Sequence, residues 1–396
     1  MTHDAVVIGA GPAGACIALA LARQGRRVAI VEKAQFPRRK VCGEFISATN
    51  IALLDELDIG DAWRKEAGPE IRRIALFVGE RCVTAAMPPA GNGGYGRALG
   101  RDILDGMFLD AARRAGAEVF QPYRATDIAT DGNRSIVRIA SRDRELRLCA
   151  PVVIAAHGSW EQGSLPSQLP KSARPSDLLG FKAHFVNSAL PTDLMPLLVF
   201  PGGYGGMIMA DHGRLSLSCC VRRDKLAEFR RLYGGVSAAE AVHRHILASC
   251  RGVRGALASA SLDGRWLAAG PIRPGIRPCY ADDIFRVGNS AGESHPIVAE
   301  GISMALQSAW LLASTLARFD AYDGTAREKS GRLYTAAWRR QFATRIHAAA
   351  AFATIALNPA GALAMGPLVA LLPGILPLGA ALSGKTRALP HLAPSS

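Results

Sequence analysis

The sequence predicts an α/β fold, α+β overall, in three parts: a βαβ unit at the N-terminus, a β-rich layer inserted after it, and a helical C-terminal region. Three observations predict it. An apolar strand runs straight into Gly9-Ala10-Gly11-Pro12-Ala13-Gly14 and then into an Ala/Leu-rich stretch. From about Asp177 to Val221, short apolar runs alternate with turn residues. Residues 346–384 carry no Asp, Glu, Lys or Arg.

The N-terminal unit comes first. Asp4 to Ile8 holds a continuous apolar run of strand length, Ala15 to Arg23 reads as a helix ended by Gly25, and Arg27 to Val31 as a second strand. Glu32 closes that strand about twenty residues beyond the glycines, the spacing of a Rossmann-like dinucleotide site. Gly9 permits the tight turn, Gly11 lets backbone approach a pyrophosphate, and Gly14 lets helix and strand pack closely. The helix N-terminus offers unpaired N–H groups to phosphate, and Glu32 can accept from ribose hydroxyls. An acidic Glu32 repels a 2′-phosphate, so NADP is disfavoured at this site.

Composition bounds the rest. A chain of 396 residues, 49% hydrophobic and 20% charged, is an ordered protein of two to three domains. The net charge of +14 comes from dispersed arginines rather than a basic run, which argues against nucleic acid. Eight cysteines without CxxC or Cys/His spacing predict neither a metal site nor a disulfide framework, and fit a reducing cytoplasm. The apolar segment near residue 5 lacks a basic lead and enters the glycine motif directly, so no signal peptide is expected.

The motif alone does not choose between NAD and FAD. Phe36-Pro37-Arg38-Arg39-Lys40-Val41-Cys42-Gly43-Glu44 resembles the FPR-x-K-x-CGE segment of the flavoprotein monooxygenase and geranylgeranyl reductase superfamily. Gly100-Arg101 before the 102–115 helix resembles that family's arginine beside the cofactor. Val287-Gly288-Asn289-Ser290-Ala291-Gly292, with His295-Pro296 and Glu300-Gly301-Ile302, is similar to its second flavin fingerprint. The resemblance implies noncovalent FAD, with NAD(P)H or a partner reductase as electron source. The implied cofactor contacts are Gly9, Gly11, Pro12, Ala13, Gly14, Glu32, Lys33, Arg39, Cys42, Gly43, Arg101, Gly288, Asn289, Pro296, Gly301 and Ile302. Chemistry supports the second fingerprint: a helix N-terminus at Gly301 and Ile302 can stabilise charge on a reduced flavin. Two departures stand out. Asn289 replaces the family's usual Asp, and His157-Gly158-Ser159 replaces its Ala-Asp-Gly triplet.

Strands are expected at Leu178 to Val186, Leu194 to Phe200, Met207 to Ala210 and Leu215 to Val221, and helices at Asp224 to Tyr233 and Ala238 to Ala248. The expected domains are 1–75, 97–175 and 270–330 for FAD; 76–96 and 176–269 for substrate; and 331–396 as an apolar helical tail. Tyr204 stands where family reductases carry an aromatic substrate motif, here reduced to Tyr204-Gly205-Gly206-Met207-Ile208-Met209. The tryptophan motif of flavin-dependent halogenases is not evident. Cys42 and His295 are the candidate catalytic residues. For each there is a plainer reading: Cys42 as a small buried apolar group, His295 as a structural hydrogen bonder. His157 reads as structural.

Pro359, Pro367, Pro373 and Pro377 break the apolar tail, so no single spanning helix is expected. Three readings stay open: packing on the core, a tunnel for an apolar substrate, or peripheral membrane contact helped by Arg339, Arg340, Arg345, Lys385 and Arg387. The expected location is the cytoplasm, and under the third of these readings its membrane periphery. The expected partner is an apolar small molecule or lipid, and no nucleic acid. The leading expectation is a monooxygenase that hydroxylates an aromatic, polyketide or lipid substrate through a flavin C4a-hydroperoxide. The rivals are a reductase of lipid double bonds and a non-catalytic flavin-binding redox protein.

Overall fold

The computed structural model describes residues 1–91, 94–159, 163–169, 172–318 and 324–385. β1 (Ala5–Ile8) lies inside a six-stranded sheet. It pairs in parallel with β2 (Val28–Val31) on one side and Val152–Ala155 on the other. Glu118–Phe120 and Ile284–Arg286 extend the parallel run at either end. Strands covered on both faces need no polar alternation, which is why β1 and Val152–Ala155 read as unbroken apolar runs. α1 (Pro12–Arg23) starts on a proline, whose missing N–H costs nothing at that position. It packs against helices Arg101–Arg114 and Gly301–Arg318.

The second layer is a seven-stranded sheet ordered Ser261–Ile272, Leu178–Val186, Leu215–Arg222, Gly203–Met209, Leu194–Phe200, Arg73–Val78 and Arg81–Ala86. The third expected strand starts four residues earlier than Met207, because Tyr204 to Gly206 pair with Cys220 to Ser218. Alternation along the strands splits the packing onto two faces. Ala75, Phe77, Leu198 and Phe200 pack with Phe229, Val242 and Ile246 of the helices that follow the sheet. Leu76, Val199 and Tyr204 face the other way, onto Ala353, Met365, Val369 and Leu376 of the C-terminal helices. A three-stranded antiparallel sheet, Arg124–Asp131, Arg134–Ala140 and Glu145–Ala150, flanks the nucleotide layer and was not anticipated.

The tail opens with one long helix, Gly324–Leu357. Tyr334, Trp338, Phe342 and Ile346, spaced four apart, bury into the first layer, and Ala353 and Ala356 into the second. Three of the expected domain boundaries need correction. Those at 75/76, 269/270 and 330/331 fall inside the Arg73–Val78 strand, the Ser261–Ile272 strand and this helix, because each element continues its backbone hydrogen bonding across the boundary. Asn358 then caps the Pro359–Leu371 helix, its Oδ1 accepting from Ala360 N and Gly361 N at 2.9 and 3.1 Å. The chain bends there by 102° and ends in a last helix, Ile375–Leu382. Among the described residues no single helix is long and apolar enough to cross a membrane. Arg387 lies outside the described residues.

Candidate cofactor cleft and substrate cavity

A cleft of about 340 Å³ opens where parallel strands of the first sheet end: Ile8-Gly9 after β1, Glu32 after β2, Ala156-His157 and Val287-Gly288 after two others. In open α/β sheets, ligands bind at this edge. Gly9 has φ +105°, and a Cβ there would meet the Ala156 carbonyl oxygen at 2.7 Å. A Cβ on Gly14 would meet the Gly9 oxygen at 1.8 Å, so that contact is closed to any other residue. Gly11 differs. A Cβ there would meet only an Arg101 nitrogen at 3.6 Å, leaving open space before the first turn of α1. That cradle, a helix N-terminus behind it and the cations around it fit a diphosphate.

The buried Glu32 carboxylate is held at the strand end by Ala10 N and Ala34 N, both at 2.9 Å. Arg101 also lines the cleft, its guanidinium fixed on Asp105 at 2.6 and 2.8 Å. Lys40 is pushed down to about 8 by burial, then by the Arg101 and Arg38 charges. A bound diphosphate favours the charged lysine. FAD affinity is therefore expected to weaken as pH rises through 8, and Lys40→Met to flatten that slope, read by flavin fluorescence titration across alkaline pH.

Twelve of the expected cofactor residues line the cleft: Gly9, Gly11, Pro12, Ala13, Glu32, Lys33, Cys42, Arg101, Gly288, Asn289, Gly301 and Ile302. Gly14 instead packs helix on strand. Gly43 and Pro296 line the neighbouring cavity. Arg39 is a correction: its guanidinium reaches Asp263 at 2.7 Å and sits 3.7 Å from Asp102, while Arg38 and Lys40 line the cleft. The Asp263 carboxylate and carbonyl, both within hydrogen-bond reach, hold the Arg39 guanidinium away from the cleft that Arg38 and Lys40 line.

Both departures from the family pattern have local reasons. The Asn289 amide donates to Glu293 Oε1 at 2.8 Å, and Glu293 is buried and also accepts from Ser159 Oγ at 2.7 Å. An aspartate at 289 would face that carboxylate. The ring nitrogens of His157 lie 2.8 Å from Gly158 O and 2.9 Å from Ser167 Oγ, a loop-fixing arrangement.

A second cavity, about 280 Å³, adjoins the cleft. Val41, Cys42, Asn289, Gly301 and Ile302 line both. Ile74, Leu197, Tyr204 and Met207 of the sheet form one wall, and Phe352, Ile375, Leu376 and Leu382 of the tail form another. Tyr204 is fully buried and, by desolvation first and then by Cys220, held well above its ordinary value of 10.0, so it keeps its proton. Its hydroxyl lies 3.2 Å from Nδ1 of His295. Burial pushes His295 down to about 4, so it is neutral near pH 7, and it reaches the cavity only through that phenol. Cys42 Sγ accepts from Glu44 N at 3.5 Å.

Sequence reasoning missed one cluster. Glu44, at positive φ of 62°, forms a buried ion pair with Lys182 and meets His184 Nε2 at 2.8 Å. Its other oxygen accepts from Arg101 N at 3.0 Å. Burial alone would raise the Glu44 pKa; Lys182, and then His184, instead hold it far below the usual carboxylate range. A signal existed: Lys182 and His184 sit two apart, on one face of an otherwise apolar strand.

Comparison with known proteins agrees with this layout. Residues 2–192 match the model of a family described as FAD binding domain. A menaquinone reductase of Mycobacterium tuberculosis is 32% identical over 152 residues, 38% of this chain. The match spans 37% of that protein, little more than a third of its length. Digeranylgeranylglycerophospholipid reductase 2 of Methanopyrus kandleri is 27% identical over 355 residues, covering 86% of this chain and 83% of its own. Among solved structures, a myxobacterial chondrochloren halogenase superposes with TM-score 0.73 at 21% identity, covering 88% of this chain and 83% of that one, which shows a shared fold.

Proposed function

We propose, from the match of residues 2–192 to the FAD binding domain family, that this chain is an FAD-dependent oxidoreductase that reduces a carbon–carbon double bond of an apolar, lipid-like substrate. One observation carries the reading: an apolar cavity shares a wall with the cofactor cleft and is lined by the buried Tyr204, whose phenol carries its proton at neutral pH. Bound FAD, once reduced by NAD(P)H or a partner reductase, supplies hydride chemistry. The chain supplies the rest. The glycine turn and α1 hold the diphosphate, Glu32 the ribose, and Gly301 and Ile302 present a helix N-terminus at the shared wall. The apolar walls exclude water from the reacting carbons. Saturating a double bond needs one hydride and one proton. Tyr204 Oη gives the proton to carbon; the phenolate takes one back from the ring N–H of the neutral His295 while solvent protonates the other ring nitrogen, so phenol and imidazole both return to their starting states.

The name of the Methanopyrus relative, which matches most of the chain, supports a reductive reaction on a lipid. Tyr204→Phe is expected to lower turnover on the order of a hundredfold or more, with FAD content unchanged. Stopped-flow traces of flavin reoxidation by substrate without oxygen check this. A second reading has its own observation. Tyr204-Gly205-Gly206-Met207-Ile208-Met209 lacks the aromatic and proline of the family's reductase motif, which favours hydroxylation of a ring-bearing lipid. Turnover in the absence of oxygen supports reduction; label from isotopic O2 in the product overturns it for hydroxylation.

A further inference from the structure

We infer that the last two helices, Pro359–Leu371 and Ile375–Leu382, form a surface that docks on a lipid bilayer and passes the substrate directly into the cavity. The inference rests on the apolar substrate proposed above and names where it comes from. Leu363, Leu368, Leu371, Leu372, Leu378 and Leu382 are all exposed, Leu363 and Leu371 by 79% and 80% of their surface. A soluble surface scatters such residues singly; six within twenty positions mark an interaction face. No charged residue and no histidine interrupts 359–382, so no ionisable side chain there resists leaving water.

Continuity with the cavity identifies the occupant. Leu382 is 59% exposed and lines the cavity at the same time, and Ile375, Leu376 and Gly379 of that helix line it deeper in. The exposed face and the cavity wall are therefore two sides of one helix. A lipid leaving a bilayer held against this face would reach Tyr204 without crossing water. The exposed Arg81 lies against Gly366, and the chain's net charge of +14 adds attraction to anionic headgroups. Neither helix needs to span. Apolar helices lying at the headgroup boundary bind through buried area and charge together.

The test uses the whole 396-residue chain, incubated with FAD and assayed for bound flavin, and flotation with vesicles of phosphatidylcholine and phosphatidylglycerol. The protein is expected to float, and Leu363→Glu with Leu371→Glu to lower partitioning at least about a hundredfold, since two exposed leucines leave the bilayer. The same pair changed to alanine should lose about tenfold, and guards against any folding defect in the glutamate pair. Unbound wild-type protein, or glutamate variants that still float, would overturn the inference. So would a wild-type dimer in lipid-free buffer that the variants lose, because a second copy would then cover the face. Full flavin content without flotation rejects the docking surface alone. Flotation of a protein that takes up no FAD rejects the oxidoreductase reading alone.

Discussion

A protein carrying Gly11→Ala is expected to fold normally and purify without its yellow colour. The Cβ of alanine meets no backbone at this position, only a side-chain nitrogen of Arg101 at 3.6 Å. The backbone torsions at Gly11, φ −69° and ψ −177°, suit any residue. What the methyl fills is the space where a diphosphate approaches the backbone. Displacing it by an ångström or more breaks several charge-assisted hydrogen bonds, each worth about 1.5–3 kcal/mol. FAD affinity should fall on the order of a hundredfold to a thousandfold. Gly14→Ala is the opposite control. Its methyl would be driven onto the Gly9 carbonyl oxygen, which neither β1 nor α1 can move aside. That variant should lose about 3 kcal/mol of stability or more and fail to accumulate as folded protein. Thermal melts and flavin absorbance on both variants separate the effects. A Gly11→Ala protein that keeps full FAD would show that the cradle is not where the diphosphate sits.

Lys182→Met should cost about 3–5 kcal/mol, the largest single loss outside the glycine turn. The lysine is fully buried, and its ammonium neutralises Glu44. Methionine fills the same volume but leaves a carboxylate in the interior with only His184 and the Arg101 amide beside it. The pH dependence has a defined sign. The folded pKa of Glu44 is depressed below its ordinary 4.5, so its contribution is fully present above that value and is lost as pH falls toward the folded one. Urea midpoints should therefore drop steeply on the acid side of pH 4.5 in the wild type. Glu44→Gln should remove that limb while lowering stability at neutral pH. The measurement is a series of urea melts from acidic to neutral pH.

How much of this could be read in the sequence depended on how local each signal was. Gly9, Gly11, Gly14 and Glu32 act within one βαβ unit, and most of what they contact, such as the Gly14–Gly9 approach and the Ala10 N–Glu32 bond, lies inside that unit. The strands from Leu178 to Arg222 were legible for the same reason, as apolar runs cut by glycine turns. The hairpin Arg73–Ala86 was not. It joins the sheet through Leu194–Phe200, more than a hundred residues away, and Arg81–Ala86 alternates too weakly to announce itself. Arg39 and its neighbours show a different limit. The FPR-x-K segment named the right stretch, but which side of an irregular loop faces the cleft is set by Asp263 on a distant strand. Glu44 and His184 lie 140 positions apart, and only the sheet brings them together. In the tail, four prolines drew attention to short helices, while the Tyr334–Trp338–Phe342–Ile346 stripe had already specified one long helix before them.

The division of the cavity wall bears on how such a protein can change over generations. Val41, Cys42, Asn289, Gly301 and Ile302 line the cleft and the cavity together, so a substitution there reshapes both at once. Phe352, Ile375, Leu376 and Leu382 line the cavity and not the cleft. The shape of the cavity can therefore change by drift in the last two helices, leaving the cleft untouched. The tail is the part of this chain best placed to diverge, and the partition is the part held fixed.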